Sequence, residues 1–426
     1  MSHLPKTFAL PAWLACVVAT ALMSTCLPAR AVPSFARQTG QPCAMCHVGG
    51  FGPQLTDYGI NFKLNAYTTT KGGDWVPPLA GMVMAGFTHT RKAQDPADLD
   101  GHSLTGTLKA NDNLTLDQVS LFASGRISDH VGIFSQLTYD GIAQHTSIDN
   151  VDLRAATTMS VGDDHMVLVG ATIHNNPGVQ DVFNTSPAWA FPYISSPVAP
   201  GPSAAPILDG AYAQKSIGVT AYAQLDGTWY AELGTYRMQT LTLQKDFGIA
   251  QADRDPGALR SPIYARLAAR KSYGAQSVNV GLVLFKSGYQ ADRALPDVAH
   301  VRDIGVDASY RWVIDDLTSA TALASVIHES QAGADLVEYN VNASYYWDGS
   351  YGATLQRFGV NAPGLGSRGT RLQLDWTPLG KTVQTGLIQP NLRLGLQYTA
   401  YDRLDGQSGG AASGANSAYL FAWIAF

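Results

Sequence analysis

The residues best suited to chemistry stand together near the start of the chain, as Cys43-Ala44-Met45-Cys46-His47. The pattern C-x-x-C-H is the attachment signature of c-type haem. Two thiols at this spacing can form thioethers to the two vinyl groups of one porphyrin, and the next residue places an imidazole beneath the iron. The sequence therefore predicts one covalent haem c, with Cys43 and Cys46 as attachment residues and His47 as the proximal axial ligand. A thioredoxin-like reading asks for a βαβ setting, which the neighbouring sequence lacks. A structural zinc site asks for four ligands, and no second cysteine pair completes one. For the distal ligand the nearest downstream thioethers are Met82 and Met84, which share one face at i and i+2. Facing inward they would raise the haem potential; facing outward they would meet lipid. His89 and His102 are the alternatives.

What positions these residues? The chain opens with Lys6, an apolar stretch and Ala29-Arg30-Ala31, which reads as a cleaved secretory signal over residues 1–31. Cys16 and Cys26 leave with it, so a disulfide scaffold is excluded. The haem segment, residues 32–77, has room for a Gly-rich loop and one helix capped by Thr56, with Leu55, Tyr58 and Phe62 at helical spacing. So short a segment cannot shield a porphyrin from water. Something else must enclose it.

Residues 78–426 differ in character. Asn391-Leu392-Arg393-Leu394-Gly395-Leu396-Gln397-Tyr398-Thr399 puts apolar side chains on one face and polar ones on the other. Ile304 to Trp312, Val337 to Tyr345 and Arg371 to Trp376 do the same, a period of two that marks half-buried strands. About sixteen such segments can be placed, each near the length of about 9–11 residues that spans a bilayer when tilted. They start near Leu79, Leu114, Val131, Ile148, His165, Ala211, Thr228, Pro262, Gln276, Val301, Leu317, Ala334, Tyr351, Arg368, Asn391 and Asn416. Short connections (Ser128-Asp129-His130, Gly162-Asp163-Asp164, Asp226-Gly227, Asp315-Asp316, Asp348-Gly349-Ser350), expected to be periplasmic turns, alternate with long ones (Arg91 to Asn113, His174 to Gly210, Leu241 to Ser261), expected to be surface loops. Pro378 to Pro390 breaks the alternation. The expected fold is all-β, a transmembrane antiparallel β-barrel of the bacterial outer membrane. Its short N-terminal α/loop segment binds the haem. An aromatic last residue, Phe426, suits barrel sorting. Trp75, Trp229, Trp312, Tyr346, Trp347 and Trp376 are candidate girdle residues.

Composition agrees. Charged residues are 14% and glycines number 42, against about 25% charged for ordinary soluble proteins. A net charge of -5 argues against a nucleic-acid partner. Asp95, Asp98 and Asp100 beside His102 form an acidic loop able to collect a hard divalent ion. Arg266, Arg270, Arg311, Arg371 and Arg393 are inward charges that would hold haem propionates or line a wet lumen.

The run Pro33-Ser34-Phe35-Ala36-Arg37-Gln38-Thr39-Gly40, then Cys43-x-x-Cys46-His47, then Leu55-Thr56-x-Tyr58-Gly59 and Phe62-Lys63-Leu64-Asn65-x-Tyr67 resembles the fused cytochrome–porin family. The resemblance covers about thirty-five residues, while the remainder matches in architecture. It implies a mono-haem segment joined to a barrel of the outer membrane. Characterised members are outer-membrane iron oxidases. The resemblance thus implies electron flow from extracellular Fe(II), through a barrel-enclosed haem, to a periplasmic c-type cytochrome; as an enzyme it would be an Fe(II):cytochrome c oxidoreductase. The alternatives are a conduit for a non-iron donor and a porin with a haem-bearing plug. Ala66 stands where the family pattern has Gly, Asp57 where Pro is usual, and Val48-Gly49-Gly50 is richer in glycine.

Overall fold

The computed structural model describes residues 33–72, 77–94, 108–249, 255–331, 333–381 and 390–426. The signal reading over 1–31, Trp75, the acidic residues Asp95, Asp98 and Asp100, and His102 lie outside these. Sixteen antiparallel strands form a closed barrel. They are β1 (Leu79–Thr90), β2 (Asn113–Ala123), β3 (Val131–Asp140), β4 (His145–Val161), β5 (His165–His174), β6 (Ser216–Leu225), β7 (Trp229–Met238) and β8 (Ala258–Tyr273). The second half comprises β9 (Gln276–Gln290), β10 (Ala299–Asp315), β11 (Thr318–Gln331), β12 (Leu336–Trp347), β13 (Tyr351–Asn361), β14 (Ser367–Trp376), β15 (Asn391–Leu404) and β16 (Ser417–Ala425). Two-residue pieces, Gly125–Arg126 and Gln407–Ser408, extend the pairing around β3 and β15 without adding a crossing strand. Each strand pairs with its neighbours in sequence, and β16 returns to β1 in a register from Met82↔Ala425 to Thr90↔Ser417.

The direction of the alternation separates a membrane barrel from a soluble sandwich. Along β15, Leu396 is 47% exposed and Gln397 only 2%. Leu372, Leu374 and Trp376 of β14 are likewise exposed, while Gln373 and Asp375 are buried. Apolar side chains face outward all round the ring, an arrangement that is stable only against lipid, where closure also satisfies every edge. Among the described residues no helix is long and apolar enough to cross a membrane; the strands do so. The chain is a transmembrane β-barrel of the outer-membrane type.

Residues 162–164, 226–228, 274–275, 316–317 and 348–350 close tight turns at one end. Asp226-Gly227 and Asp348-Gly349 both take positive φ, the backbone that tight hairpins require. Trp229, Trp312, Trp347 and Trp376 point outward near this turn side, and Trp347 stacks between Tyr345 and Tyr351 at 6.0 and 5.5 Å. Tyr346 departs from the girdle expectation. It faces the lumen, where its ring closes on Gly49.

Two segments fill the lumen. One is residues 33–72, carrying α1 (Pro33–Thr39), α2 (Cys43–Cys46) and α3 (Asp57–Leu64). The other is the β5–β6 connection, expected to be a surface loop. It folds inward instead, burying Val182, Phe183, Phe191 and Ile194. The inner wall receives its carbonyls: Gln356 donates to Phe191 O at 2.7 Å and Gln397 to Ile194 O at 2.9 Å. Its apolar residues need cover, and the wall's amides supply partners for its backbone.

Candidate functional site

The C-x-x-C-H motif is built by local hydrogen bonds. One turn of helix, α2, carries both cysteines, and His47 N donates to Cys43 O at 2.8 Å. His47 then pairs with Leu55 in an isolated antiparallel bridge, and Thr56 N donates to Cys46 O at 2.9 Å. As expected, Thr56 caps α3, its hydroxyl accepting from Gly59 N at 3.2 Å. Gly59 is required here. A Cβ on it would run into the Cys46 carbonyl, so helix and motif touch backbone to backbone.

The barrel wall fixes this unit. Asp57 bridges Arg270 at 2.7 Å and Arg311 at 2.8 Å. Asn391 donates to Gly50 O at 2.9 Å, Ala44 N to Gly380 O at 3.1 Å, and Tyr67 OH to Asp152 at 2.6 Å. The Asp57 that departs from the family pattern thus anchors α3 to two strands. Ala66 adopts φ 54°, the left-handed backbone that glycine takes most easily. Its carbonyl lies where a Cβ on Gly132 of β3 would be, so the glycine sits in the wall instead.

Between motif and wall lies a cavity of about 360 Å³. Cys43, Cys46, His47 and Phe51 line it from the segment; Met82, Met84, Phe122 and Trp423 line it from β1, β2 and β16; Trp189 and Tyr193 line it from the inward loop. Both candidate methionines therefore face inward, to the same cavity as His47. Phe51 and Trp423 meet edge to face at 4.8 Å. No disulfide joins Cys43 and Cys46. As a free thiol Cys46 is pushed up to about 12 by burial and, secondarily, by Cys43. Burial also pushes His47 down to about 4, against an opposing pull from the Gly52 backbone, and its Nδ1 is enclosed without a partner in hydrogen-bonding geometry. The cavity offers imidazole and sulfur donors in apolar surroundings, a set suited to iron in a macrocycle rather than to a bare hard cation.

The other expected site residues fall elsewhere. His89 pairs with Asp112 at 2.6 Å, exposed and away from the cavity. None of the five inward arginines lines it. Arg266 pairs with Asp181 and Asp307, Arg393 with Asp375, Arg270 and Arg311 with Asp57, and Arg371 donates to Gln356 and Thr399. The cation on the cavity wall is Lys63, donating to Val179 O at 2.7 Å and Asn184 at 2.9 Å. Among the described residues no group of three or more His, Cys, Asp or Glu is arranged to hold a metal ion.

No protein-family model matches the chain. No curated protein matches it either. Solved structures similar to it include a loop-deletion mutant of the outer membrane protein OmpT of Vibrio cholerae, at 9% identity over 82% of this chain and 97% of that one, with a TM-score of 0.45. An anion-selective porin from Comamonas acidovorans matches at 14% identity over 82% and 98%, with a TM-score of 0.42. The outer membrane channel DcaP of Acinetobacter baumannii matches at 14% identity over 82% and 96%, with a TM-score of 0.43.

Sequence reasoning missed the aromatic half of the cavity: Phe122, Trp189, Tyr193 and Trp423. A signal for one of them was present. β16, which carries Trp423, is apolar on both faces, whereas strands such as β15 are apolar only outward.

Proposed function

We propose that this chain is a mono-haem c-type cytochrome housed in an outer-membrane barrel, passing electrons from extracellular Fe(II) to a periplasmic c-type cytochrome. The observation that carries the reading is the C-x-x-C-H motif opening onto a mainly apolar cavity walled by the inner face of the barrel, with Met82 and Met84, and by the inward β5–β6 loop. That wall answers the problem of a segment too short to shield a porphyrin. The haem supplies a one-electron couple at its iron when bound. Cys43 and Cys46 would hold it as thioethers, and His47, which lines the same cavity, would be the proximal ligand. Met82 and Met84 are the distal candidates; a thioether there raises the potential. Phe51, Phe122 and Trp423 exclude water, which also acts on the potential.

The bilayer core of about 30 Å is too thick for unaided electron transfer between soluble partners. A barrel holding the motif in its lumen shortens the gap and insulates it. Short turns mark the periplasmic side of such barrels and long loops the outside, so the donor meets the loop side and the periplasmic acceptor the turn side. The ferric product then stays outside the cell.

The test is in two steps. Purified protein on a denaturing gel should carry covalent haem; its absence would refute the cytochrome. Anaerobic mixing with Fe(II) should then reduce the haem absorbance band. Covalent haem that Fe(II) leaves oxidised, but a quinol or electrode reduces, would replace the donor and keep the conduit. High conductance in planar bilayers would favour the porin with a haem-bearing plug.

A further inference from the structure

Resting on that reading, we infer that a defined column of side chains, from Tyr67 at the cavity to Tyr289 at the loop-side rim, is the electron path between an external one-electron donor and the cavity. Tyr67 lines the cavity and stacks on Phe35 at 5.3 Å. Its hydroxyl donates to one carboxylate oxygen of Asp152 at 2.6 Å, and the Thr172 hydroxyl donates to the other. Thr172 lies 3.4 Å from His174 Nδ1, and His174 Nε2 lies 2.7 Å from the Tyr236 hydroxyl. From there the path is ring to ring: Tyr236 to Phe285 at 5.6 Å, Phe285 to Tyr212 at 6.0 Å, and Tyr212 to Tyr289 at 6.0 Å. Tyr289 is half-buried, next to the loop-side end of β9.

Each link is of the kind that carries electronic coupling well. Tunnelling decays least through covalent bonds, hydrogen bonds and packed π systems, and most across open space. The interior of the column is dry, with Asp152, His174 and Phe285 essentially fully buried. Arg154 holds the cavity end rigid, binding Asp152 at 2.8 Å with its guanidinium facing both the Tyr67 and Tyr222 rings. In the step itself one electron leaves the donor, which is oxidised, and arrives at the haem iron, which is reduced. No bond forms or breaks, no proton moves, and the column ends unchanged.

A second aromatic stack separates conduction from mere packing. Tyr419 and Phe421 of β16 stack at 5.5 Å in the hydrophobic cluster beside the cavity. Tyr419 is fully buried and hydrogen-bonded to Asp117, and among the described residues no further ring stacks on it toward the rim. Losing a ring there removes apolar volume without cutting the column.

The experiment uses the full-length haem-loaded protein with Ala291→Cys, an exposed position just beyond β9, carrying a thiol-linked ruthenium photoreductant. Flash-triggered haem reduction is read by absorbance; covalent haem content and midpoint potential are read alongside. Phe285→Leu should slow the flash-triggered step several-fold with haem content and potential unchanged, whereas Phe421→Leu should leave its rate at the parent value. Tyr212→Leu, in a loop, gives the same slowing should the strand variant fail to fold. Equal rates in Phe285→Leu or Tyr212→Leu and the parent, with haem intact, would overturn the column. A parent protein without covalent haem would sink the underlying cytochrome reading, and that is seen before any flash.

Discussion

The inner wall of the barrel is two different surfaces. On β1, β2 and β16 the inward residues that line the cavity are Met82, Met84, Phe122, Trp423 and Ala425; on β13 to β15 the inward residues are Gln356, Arg371, Gln373, Asp375, Arg393 and Gln397. Both arcs obey the same outward rule, with leucines and aromatics toward lipid. The bilayer constrains only the outer face of a strand, so the inner face is free to take whatever the lumen contents demand. The polar arc holds carbonyls of the inward loop and closes its own Arg393–Asp375 pair at 2.7 Å. The apolar arc has no such backbone to serve and instead faces the C-x-x-C-H motif across the cavity. On the cytochrome reading proposed above, this apolar inner arc is the wall that keeps the haem dry.

That contrast can be broken at several points. The largest effect is expected from replacing Cys43 and Cys46 together by Ala. Covalent haem should vanish from denaturing gels while the heat-modifiable mobility of the barrel persists, because the β1–β16 seam is backbone pairing. Next, Met82→Leu with Met84→Leu keeps the arc apolar and removes both thioethers. The midpoint potential should fall, since a thioether ligand raises it; an unchanged potential would leave these methionines as wall alone. Third, Asp57→Asn leaves Arg270 and Arg311 facing a neutral amide. Breaking a buried pair costs more, but Asp57 is 31% exposed, so a loss of about 1–2 kcal/mol is expected. It is readable as earlier thermal release of residues 33–72 to protease.

The last test concerns Lys63, which burial, then Arg154, pushes down from 10.5 to about 7. Between those values the unfolded chain binds the proton and the folded one does not, so stability should rise as pH climbs from about 7 toward 10.5. Thermal melts across that range should show a positive slope that Lys63→Met flattens. A slope unaffected by the substitution would place the titrating group elsewhere.

Much of the barrel was legible because lipid imposes one simple pattern. Strands begin at Leu79, Val131, His165, Gln276, Tyr351 and Asn391, where alternation placed them. The misplacements have local causes. β6 starts at Ser216 rather than near Ala211 because Ile207–Ala211 coils, with Gly210 at φ 90°. β4 starts at His145, three residues before Ile148, because His145-Thr146-Ser147 is polar throughout and shows no alternation. Cys43, Cys46 and His47 were legible as a motif, but what surrounds them was not. Contacts such as Asp57 with Arg311 join residues far apart in sequence, and no periodicity encodes them. The β5–β6 connection was misread because chain length between strands does not say which way a loop folds.

The register that closes the ring has a consequence for assembly. Met82 of β1 sits opposite Ala425 of β16, and both, with Trp423, line the cavity that receives the earliest described part of the chain. The chamber therefore does not exist until the final strand zips onto the first. The wall that faces the motif is thus completed by the last strand of the ring. On the cytochrome reading proposed above, haem attachment at Cys43 and Cys46 would then precede closure of the ring.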